Sequence, residues 1–268
     1  MNSTPISFKT NGAKLAGISA GTGNPIILLH AGVADSRMWL PQLSTLQETH
    51  HVLAYDRRGF GQTTTQDVSF SHVDDLEKVM DHFGFLEATL VGSSQGGRIA
   101  LDFSLANPQR VKKLVLLTPA VSGAPSPETI PSEIEAILQN LDAAEETDDL
   151  DRVNAIEAHL WLDGPTSVVG RVSGELRELF LNMNGIALHM PELTHEIEPA
   201  SAYDRVSSLT MPTLVLWGEL DFPHIQDRCR YLADAMPNAV GKSIPQTAHL
   251  FNLENPDEVN ELLQTFAK

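Results

Sequence analysis

The chain has 268 residues, of which 42% are hydrophobic and 20% charged, a composition typical of a globular protein with a sizeable core. Its formal net charge of −17 argues against nucleic acid and an anionic membrane surface as partners, because both would repel it. The single cysteine, Cys229, excludes an internal disulfide and a cysteine zinc site. Without an apolar run of signal-peptide or membrane-span length, we expect a cytoplasmic protein; its oligomeric state stays open.

The first 117 residues alternate between strand patterns and helical patterns. An Asn11-Gly12 pair between two short apolar segments predicts an antiparallel hairpin. The run PIILL at 25–29 is typical of a strand buried on both faces. The other predicted elements are helix 36–46, strand 51–55, helix 71–83, strand 88–91, a helix ending at Ala106 and strand 113–117. This alternation predicts an α/β fold whose parallel strands carry helices on both faces.

The alternation stops after strand 113–117 and resumes near residue 213. Residues 122–206 are rich in Glu and Asp and show helical patterns at 133–141, 148–162 and 174–183. Strand 213–217, helix 225–236, strand 239–244 and helix 256–266 follow. The simplest organisation is one α/β domain in two parts, residues 1–121 and 207–268, with a helical cap inserted at residues 122–206. Such a cap roofs a pocket at the strand ends; the alternative is a second helical layer without a role in ligand choice.

A tight Gly-Ser-Ser-Gln-Gly-Gly corner joins strand 88–91 to the following helix. Gly92, Ser94 and Gly96 fit the pattern G-x-S-x-G of a nucleophile elbow, in which the serine lies on a strained strand-to-helix turn. The glycines give that turn room. The pattern alone is weak, since it also describes an ordinary Gly/Ser turn, but a buried strand before it and a helix after it strengthen the prediction.

A serine hydroxyl becomes a nucleophile only when a base takes its proton, and that base is usually a histidine held by a carboxylate. Of the ten histidines, His249 follows the last short strand and precedes the final helix, which places it at the sheet edge that carries the elbow. His224 is its nearest rival. His30, at the end of strand 25–29, is predicted to be a structural hydrogen-bonding residue.

The loop after strand 213–217 offers two carboxylates that could orient the histidine. Asp221 is the preferred acid and Glu219 the alternative. The loop after strand 113–117 contains no carboxylate, which removes the other obvious location. The predicted catalytic residues are therefore Ser94, Asp221 and His249.

Two backbone amides are predicted to form an oxyanion hole for the tetrahedral intermediate. The Gln95 N–H follows the serine, and the Gly32 N–H lies in the loop after strand 25–29, with Val33 as a neighbouring possibility. Such a donor contributes about 3–4 kcal/mol to the stability of the transition state.

Several motifs resemble the α/β-hydrolase fold family over nearly the whole chain. They are LLHAG, YDRRGFG, VGSSQGG, WGELD and QTAHLFNLENP, in that order. In detail the chain resembles the bacterial branch of 3-oxoadipate enol-lactonase-like hydrolases, and WLDGP at 161–165 fits that branch less specifically. The family commonly has His-Gly where this chain has His30-Ala31. The resemblance implies an α/β-hydrolase fold with a mostly parallel central sheet and a serine–acid–histidine triad.

The primary hypothesis is a serine esterase or lactonase that acts on a small carboxylic ester and needs no metal or organic cofactor. The same triad could instead cleave a carbon–carbon bond or catalyse perhydrolysis or a cofactor-free lyase reaction, and a hydrolase-like ligand receptor is a third possibility.

Side chains that could line an apolar substrate pocket lie in two parts of the chain. Trp161 and Met183 are the candidates from the cap, and Met38 and Trp39 lie near the oxyanion loop. Arg57 or Arg58 could pair with a substrate carboxylate, although an ion pair with Asp56 or with the cap is the preferred interpretation.

Overall fold

A computed structural model describes residues 3–268, so the first two residues of the predicted core lie outside it. The described residues contain one sheet of nine strands, with the order β1-β2-β4-β3-β6-β7-β8-β9 and with β5 beside β2. The strands are β1 Thr4–Thr10, β2 Ala13–Ala20, β3 Asn24–Leu29, β4 His50–Tyr55, β5 Thr64–Thr65, β6 Ala88–Ser93, β7 Val111–Leu117, β8 Thr213–Gly218 and β9 Ala239–Ile244. β1 and β2 form the predicted antiparallel hairpin, and the strands from β4 to β9 along the sheet are parallel.

Helices cover both faces of this sheet. They are α1 Leu40–Leu46, α2 His72–His82, α3 Gln95–Ala106, α4 Ser132–Glu145, α5 Leu150–Glu157, α6 Glu175–Leu188, α7 Pro223–Ala235, α8 Phe251–Glu254 and α9 Pro256–Ala267. A π-helical turn, Ala158–Asp163, continues α5. Within residues 3–268, no helix combines the length and apolar character needed to cross a membrane.

The apolar run of β3 explains why this strand lies at the centre of the sheet. Ile27 and Leu29 point to one face and pack in one apolar cluster, while Ile26 and Leu28 pack in the cluster on the other face. All four side chains are almost completely inaccessible to solvent. A strand buried on both faces needs such a continuous apolar run, as the sequence predicted.

The predicted helix 36–46 is wrong as a single element. A 3₁₀ turn occupies Ser36–Trp39, and α1 begins only at Leu40. Pro41 lies in the first turn of α1, where its missing N–H would be unpaired in any case, but it cannot donate to a preceding helical turn. A proline at this point therefore begins a new helix.

The predicted helix 148–162 also changes character along its length. Its first part is α5, and from Ala158 the chain forms the π-helical turn that carries Trp161. Gly164 ends this turn with a φ of 97°, a conformation that favours glycine. The widened turn is a tertiary feature that helical periodicity does not reveal.

The strand order places a crevice at the carboxyl ends of β3 and β6. β3 has β4 on one side and β6 on the other, so the chain connections diverge from this point of the sheet. Ligands of open α/β sheets bind in the crevice that such a divergence leaves. The loops that follow β3, β6, β7 and β8 all lie at this edge, and the helical segment, residues 122–206, leaves the sheet after β7.

Candidate active site

Ser94 lies at the corner between β6 and α3. Its φ of 51° and ψ of −115° belong to a conformation that side-chain-bearing residues rarely adopt. The surrounding backbone holds it there, because the Ser94 N–H donates to Leu117 O at 2.9 Å and the Ala120 N–H donates to Ser94 O at 3.0 Å. The corner is therefore strained and fixed on two sides.

The two glycines of the motif permit this corner by their lack of a side chain. A Cβ on Gly96 would overlap the Leu29 carbonyl oxygen, and one on Gly92 would overlap the Gly96 carbonyl oxygen. Both positions therefore require glycine so that backbones of neighbouring elements can approach closely. The geometry is that of the predicted elbow.

Asp221 and His249 form a buried pair. Asp221 Oδ2 lies 2.7 Å from His249 Nδ1, and both side chains are almost inaccessible to solvent. The Phe222 N–H donates to the other carboxylate oxygen, Oδ1, at 2.8 Å. With both oxygens of Asp221 engaged, the carboxylate fixes the plane of the His249 ring and leaves its Nε2 for another partner.

The alternative acid and base have other contacts, although His224 also lines the cavity beside Ser94. Glu219 Oε1 accepts a hydrogen bond from Ser243 Oγ at 2.9 Å on the exposed side of the loop. His224 is half-buried at the start of α7 and packs against Phe222, with ring centroids 5.4 Å apart. Burial and the neighbouring Arg228 lower the pKa of His224 below its usual range. Glu219 is therefore hydrogen-bonded to Ser243 and not to His249. Asp221 is the acid that contacts His249.

The loop that carries His249 is held from both sides. Thr118 Oγ1 donates to His249 O at 3.3 Å. The Ala248 N–H donates to Glu254 Oε1 at 2.7 Å, and Glu254 Oε2 lies 2.6 Å from Arg171 of the helical segment. The position of His249 thus depends on Arg171, a residue of the helical segment between β7 and β8.

Three backbone amides near Ser94 have no carbonyl acceptor within the described residues. They are those of Gly32, Val33 and Gln95. Gly32 and Val33 follow β3, Gln95 begins α3, and all three residues line the same cavity as Ser94. Free N–H groups at a helix N-terminus and in an adjacent loop suit a developing negative charge.

A histidine and an arginine fix the loop after β3. His30 Nδ1 lies 2.7 Å from Ala31 O, and the Arg57 N–H donates to His30 Nε2 at 2.9 Å. Burial, together with Arg57, lowers the pKa of His30 well below its usual range, so the ring is neutral and carries its proton on Nδ1. Met38 Sδ accepts from the Ala31 N–H at 3.3 Å. His30 is thus the structural residue that the sequence predicted.

The arginines after β4 have other partners than those predicted. Arg58 lies 2.6 Å from Asp75 of α2, and Arg57 donates to Ala31 O and to Gln95 Oε1, each at 3.3 Å. The predicted ion pair with Asp56 is wrong, because Asp56 accepts instead from backbone N–H groups. Neither arginine lines the cavity beside Ser94.

A cavity of about 330 Å³ lies above Ser94. Trp161 of the helical segment lines it and packs on His249, with ring centroids 4.8 Å apart.

Met183, the other predicted substrate contact, does not line the cavity: the side chain is fully buried with Phe180 and Leu162. That prediction is corrected, because α6 turns Met183 toward the apolar core. Met38 and Trp39 are likewise core residues.

Two charged side chains of the cavity wall were missed by sequence reasoning. Glu157, at the end of α5, accepts a hydrogen bond from Asn184 Nδ2 at 2.6 Å, and burial raises the pKa of its carboxyl. Arg228, on α7, lines the wall formed by the core. Charged residues of a helix are ordinarily solvated, so periodicity gave no signal. Thr118 could have been found, since it ends a strand at the same sheet edge.

Comparison with known proteins identifies the fold family of the chain. A family model described as the alpha/beta hydrolase fold matches residues 24–256. The chain belongs to the α/β-hydrolase fold family. This α/β-hydrolase is 27% identical over 254 residues to the provisionally assigned carbamate hydrolase RutD of Caulobacter vibrioides, covering 91% of this chain and 90% of that protein.

Solved structures show the same fold over the whole chain. Est816, described as an N-acyl homoserine lactone degrading enzyme, superposes with a TM-score of 0.72 and 28% identity, over 97% of this α/β-hydrolase and 100% of that structure. The enol-lactonase of Burkholderia xenovorans LB400 superposes with a TM-score of 0.77 and 19% identity, over 98% and 99% of the two chains. The predicted fold class and the predicted resemblance are confirmed.

Proposed function

We propose that the protein is a serine hydrolase that cleaves a small carboxylic ester or lactone through an acyl-enzyme on Ser94. The observation that carries the proposal is the buried Asp221–His249 pair at 2.7 Å, which borders the same cavity as a serine in strained elbow geometry. An orienting acid, a base and a nucleophile in this arrangement suit acyl transfer.

In the first half of the reaction, Ser94 Oγ attacks the carbonyl carbon of the substrate. His249 Nε2 takes the hydroxyl proton, and Asp221 stabilises the imidazolium that forms. The amides of Gly32 and Gln95 donate to the oxyanion. The tetrahedral intermediate collapses when His249 gives its proton to the leaving alcohol oxygen and the carbon–oxygen bond breaks.

In the second half, a water molecule attacks the acyl-enzyme. His249 accepts one proton from that water while the Gly32 and Gln95 amides again hold the oxyanion. Collapse breaks the bond to Ser94 Oγ, which regains its proton from His249, and the carboxylic acid leaves. For a lactone, the alcohol and the acid are parts of one product molecule.

The position of the helical segment beside the cavity is consistent with a small substrate. We propose that residues 122–206 act as a cap, because Trp161 and Glu157 of this segment line the cavity whose floor carries Ser94. A volume of about 330 Å³ fits a ligand at the small end of the usual range. The lactone-degrading activity named for Est816 is consistent with this substrate class.

The test is hydrolysis of a panel of p-nitrophenyl esters and γ-lactones by the wild type and by Ser94→Ala. Mass spectrometry after treatment with an organophosphate locates the nucleophile. Ser93→Ala is the matched control, because this neighbouring serine is buried and its hydroxyl does not line the cavity. We expect turnover and label to disappear in Ser94→Ala and to persist in Ser93→Ala. Turnover that survives in Ser94→Ala would contradict the acyl-enzyme.

A second candidate keeps the same residues and changes the acyl group. The relative from Caulobacter vibrioides carries the name of a carbamate hydrolase, which favours a carbamate carbonyl as an alternative target. A carbamate panel run beside the esters separates the two: turnover of carbamates with only slow ester hydrolysis would favour the alternative.

A further inference from the structure

The cavity beside Ser94 contains a cation without an ionic partner. Arg228 is half-buried and lines the cavity together with Ser94 and His249. Within residues 3–268 its guanidinium has no carboxylate within 4.0 Å and makes no hydrogen bond. A chain with a formal net charge of −17 has more carboxylates than cations. An arginine of the cavity wall that pairs with none of those that the structure describes is therefore unusual.

The sequence of α7 explains why Arg228 has no partner on its own helix. Residues three and four positions away on either side are its neighbours on the helix surface. These are His224, Ile225, Tyr231 and Leu232, none of which is acidic. Arg230, two residues further along the same helix, is exposed and lies 2.7 Å from Asp227.

The carboxylates around the cavity are engaged elsewhere. Asp221 holds His249, and Glu157 accepts from Asn184. A neighbouring pocket shares His224 and Arg228 with the cavity and is lined by Asp227 and Glu128. Asp227 is paired with Arg230, and Glu128 forms no ion pair in the described part of the chain. The charge of Arg228 is therefore available to a ligand.

We propose that Arg228 binds a carboxylate of the substrate, so that the substrate class is small esters or lactones bearing an anionic group. This inference rests on the proposed acyl-transfer function for the position of the reacting carbonyl. The guanidinium presents a rigid fork of N–H donors that matches a carboxylate with two parallel hydrogen bonds. Partial burial makes such a charge-assisted pair stronger than it would be on the surface.

Burial of Arg228 lowers the pKa of its guanidinium. Arginine nevertheless remains charged under physiological conditions, because its ordinary pKa lies far above neutrality. A half-buried charge without a partner is costly in the free enzyme, and the attraction to a bound anionic ligand offsets that cost. Arg230 carries no such cost, because it is exposed to solvent and paired with Asp227.

The experiment compares esters that differ only in one charged group. Mono-p-nitrophenyl glutarate is matched with p-nitrophenyl pentanoate, where a methyl group replaces the carboxylate on the acyl side. The pair 4-carboxyphenyl acetate and 4-methylphenyl acetate places the same difference on the alcohol side. Wild type, Arg228→Met, Arg228→Lys and the control Arg230→Met are measured, with thermal unfolding to verify that each variant is folded.

We expect Arg228→Met to lower kcat/KM for the anionic member of at least one pair about 10- to 100-fold more than for its neutral partner. Arg228→Lys should recover part of this preference, since it restores charge without the fork. Arg230→Met should leave every ratio unchanged. Equal effects of Arg228→Met on both members of both pairs would overturn the inference.

A binding measurement separates this inference from the proposed function. Titration calorimetry with glutarate needs no turnover. Glutarate that binds the wild type and binds Arg228→Met at least tenfold more weakly supports the anion site, even if no ester is hydrolysed and the esterase proposal fails. If glutarate does not bind the wild type, or binds both proteins equally, the anion site is wrong whatever the esterase result.

Discussion

The floor and the roof of the cavity are held in place by different kinds of contact. The floor consists of loops that follow parallel strands, and at its elbow backbone groups fix the position of the serine: the Ser94 N–H donates to Leu117 O, and Ser94 O accepts from the Ala120 N–H. The roof is the helical segment, residues 122–206, that we propose as a cap, and side-chain contacts hold it in place. Asp163, for example, is buried and lies 2.9 Å from Arg177.

This difference separates two properties of the site. Backbone contacts between glycine-rich loops and strand ends leave little freedom, so the floor suits groups that must be placed accurately for proton transfer. Side-chain contacts tolerate substitution more readily, so the roof can change which molecules fit. Changes in the floor should therefore lower kcat, whereas changes in the roof should alter relative kcat/KM.

The largest effect should come from the acid of the floor. Asp221→Asn should lower kcat about 10³- to 10⁴-fold, because an amide cannot stabilise the imidazolium and favours the wrong tautomer of His249. Glu219→Gln should change kcat less than about twofold, since Gln can still accept from Ser243. Steady-state kinetics on one reactive ester measures both. Comparable losses in the two variants would reassign the acid.

Next in size is the effect of crowding the elbow. Gly96→Ala places a methyl group against the Leu29 carbonyl oxygen, and overpacking of this kind costs about 1–3 kcal/mol of unfolding free energy. A shift of Ser94 should also lower kcat about 100-fold.

The matched control for Gly96→Ala lies in the roof. Gly170 has a φ of 82°, and the space that a Cβ would occupy there has no heavy atom within 4 Å. Gly170→Ala should cost about 1 kcal/mol for the strained backbone and leave kcat unchanged. Urea unfolding and kinetics on both variants check this contrast. Loss of kcat in Gly170→Ala would break the distinction between floor and roof.

A buried carboxyl at the seam between floor and roof gives a pH-dependent effect. Asp102 of α3 accepts a hydrogen bond from Ser122 Oγ at 2.6 Å, and burial raises the pKa of its carboxyl from 3.8 to about 6. The folded protein thus binds this proton more tightly than the unfolded chain. The stability that Asp102 contributes is complete below about pH 4 and is lost as the pH rises through 6.

Asp102→Asn should therefore be more stable than the wild type above pH 6, on the order of 1–2 kcal/mol, with the difference vanishing below pH 4. Urea unfolding from pH 4 to 8 measures it. Asp142→Asn, at an exposed position of α4, should show no such pH-dependent difference. A wild type that stays more stable than Asp102→Asn at pH 8 would show that the ionised carboxylate is favourable.

The smallest effect should come from the roof carboxylate. Glu157→Gln keeps an oxygen that accepts from Asn184 but removes a negative charge from the cavity that Arg228 also lines. It should raise kcat/KM for mono-p-nitrophenyl glutarate about two- to fivefold without changing that for p-nitrophenyl pentanoate. Because burial raises the pKa of Glu157, this gain should shrink as the pH falls and the wild-type carboxyl becomes protonated.

Glu175→Gln, on an exposed part of α6, is the control for that charge change and should leave both rates unchanged. Equal gains for the anionic and the neutral ester in Glu157→Gln would contradict an electrostatic origin.

The residues of the floor could be predicted from the sequence better than those of the roof, for a physical reason. Strand runs fix which loops share the carboxyl edge of the sheet, so Ser94, Asp221 and His249 could be placed near one another without coordinates. The structure joins Asp221 to His249 and puts Ser94 on the same cavity, while their catalytic roles stay predictions. The buried strands and the hairpin were similarly accessible from apolar runs and one Asn-Gly turn.

The roof depends on packing between helices, which sequence periodicity does not specify. Trp161 and Met183 looked equivalent as large apolar residues of predicted helices. The π-helical turn brings Trp161 against His249, whereas α6 buries Met183. Arg228 was missed for a related reason: what distinguishes this side chain of the cavity wall is that, among the residues that the structure describes, no carboxylate lies within 4.0 Å of its guanidinium.

The link from Arg171 through Glu254 to the Ala248 amide has a consequence for any exchange of the helical segment with that of another protein. The segment that we propose as a cap also clamps the loop next to His249. A transplanted segment without an arginine at this point would leave Glu254 as a buried, unpaired carboxylate beneath the loop. If the segment sets substrate preference as we propose, a chimera must carry the arginine of this clamp along with the new pocket wall.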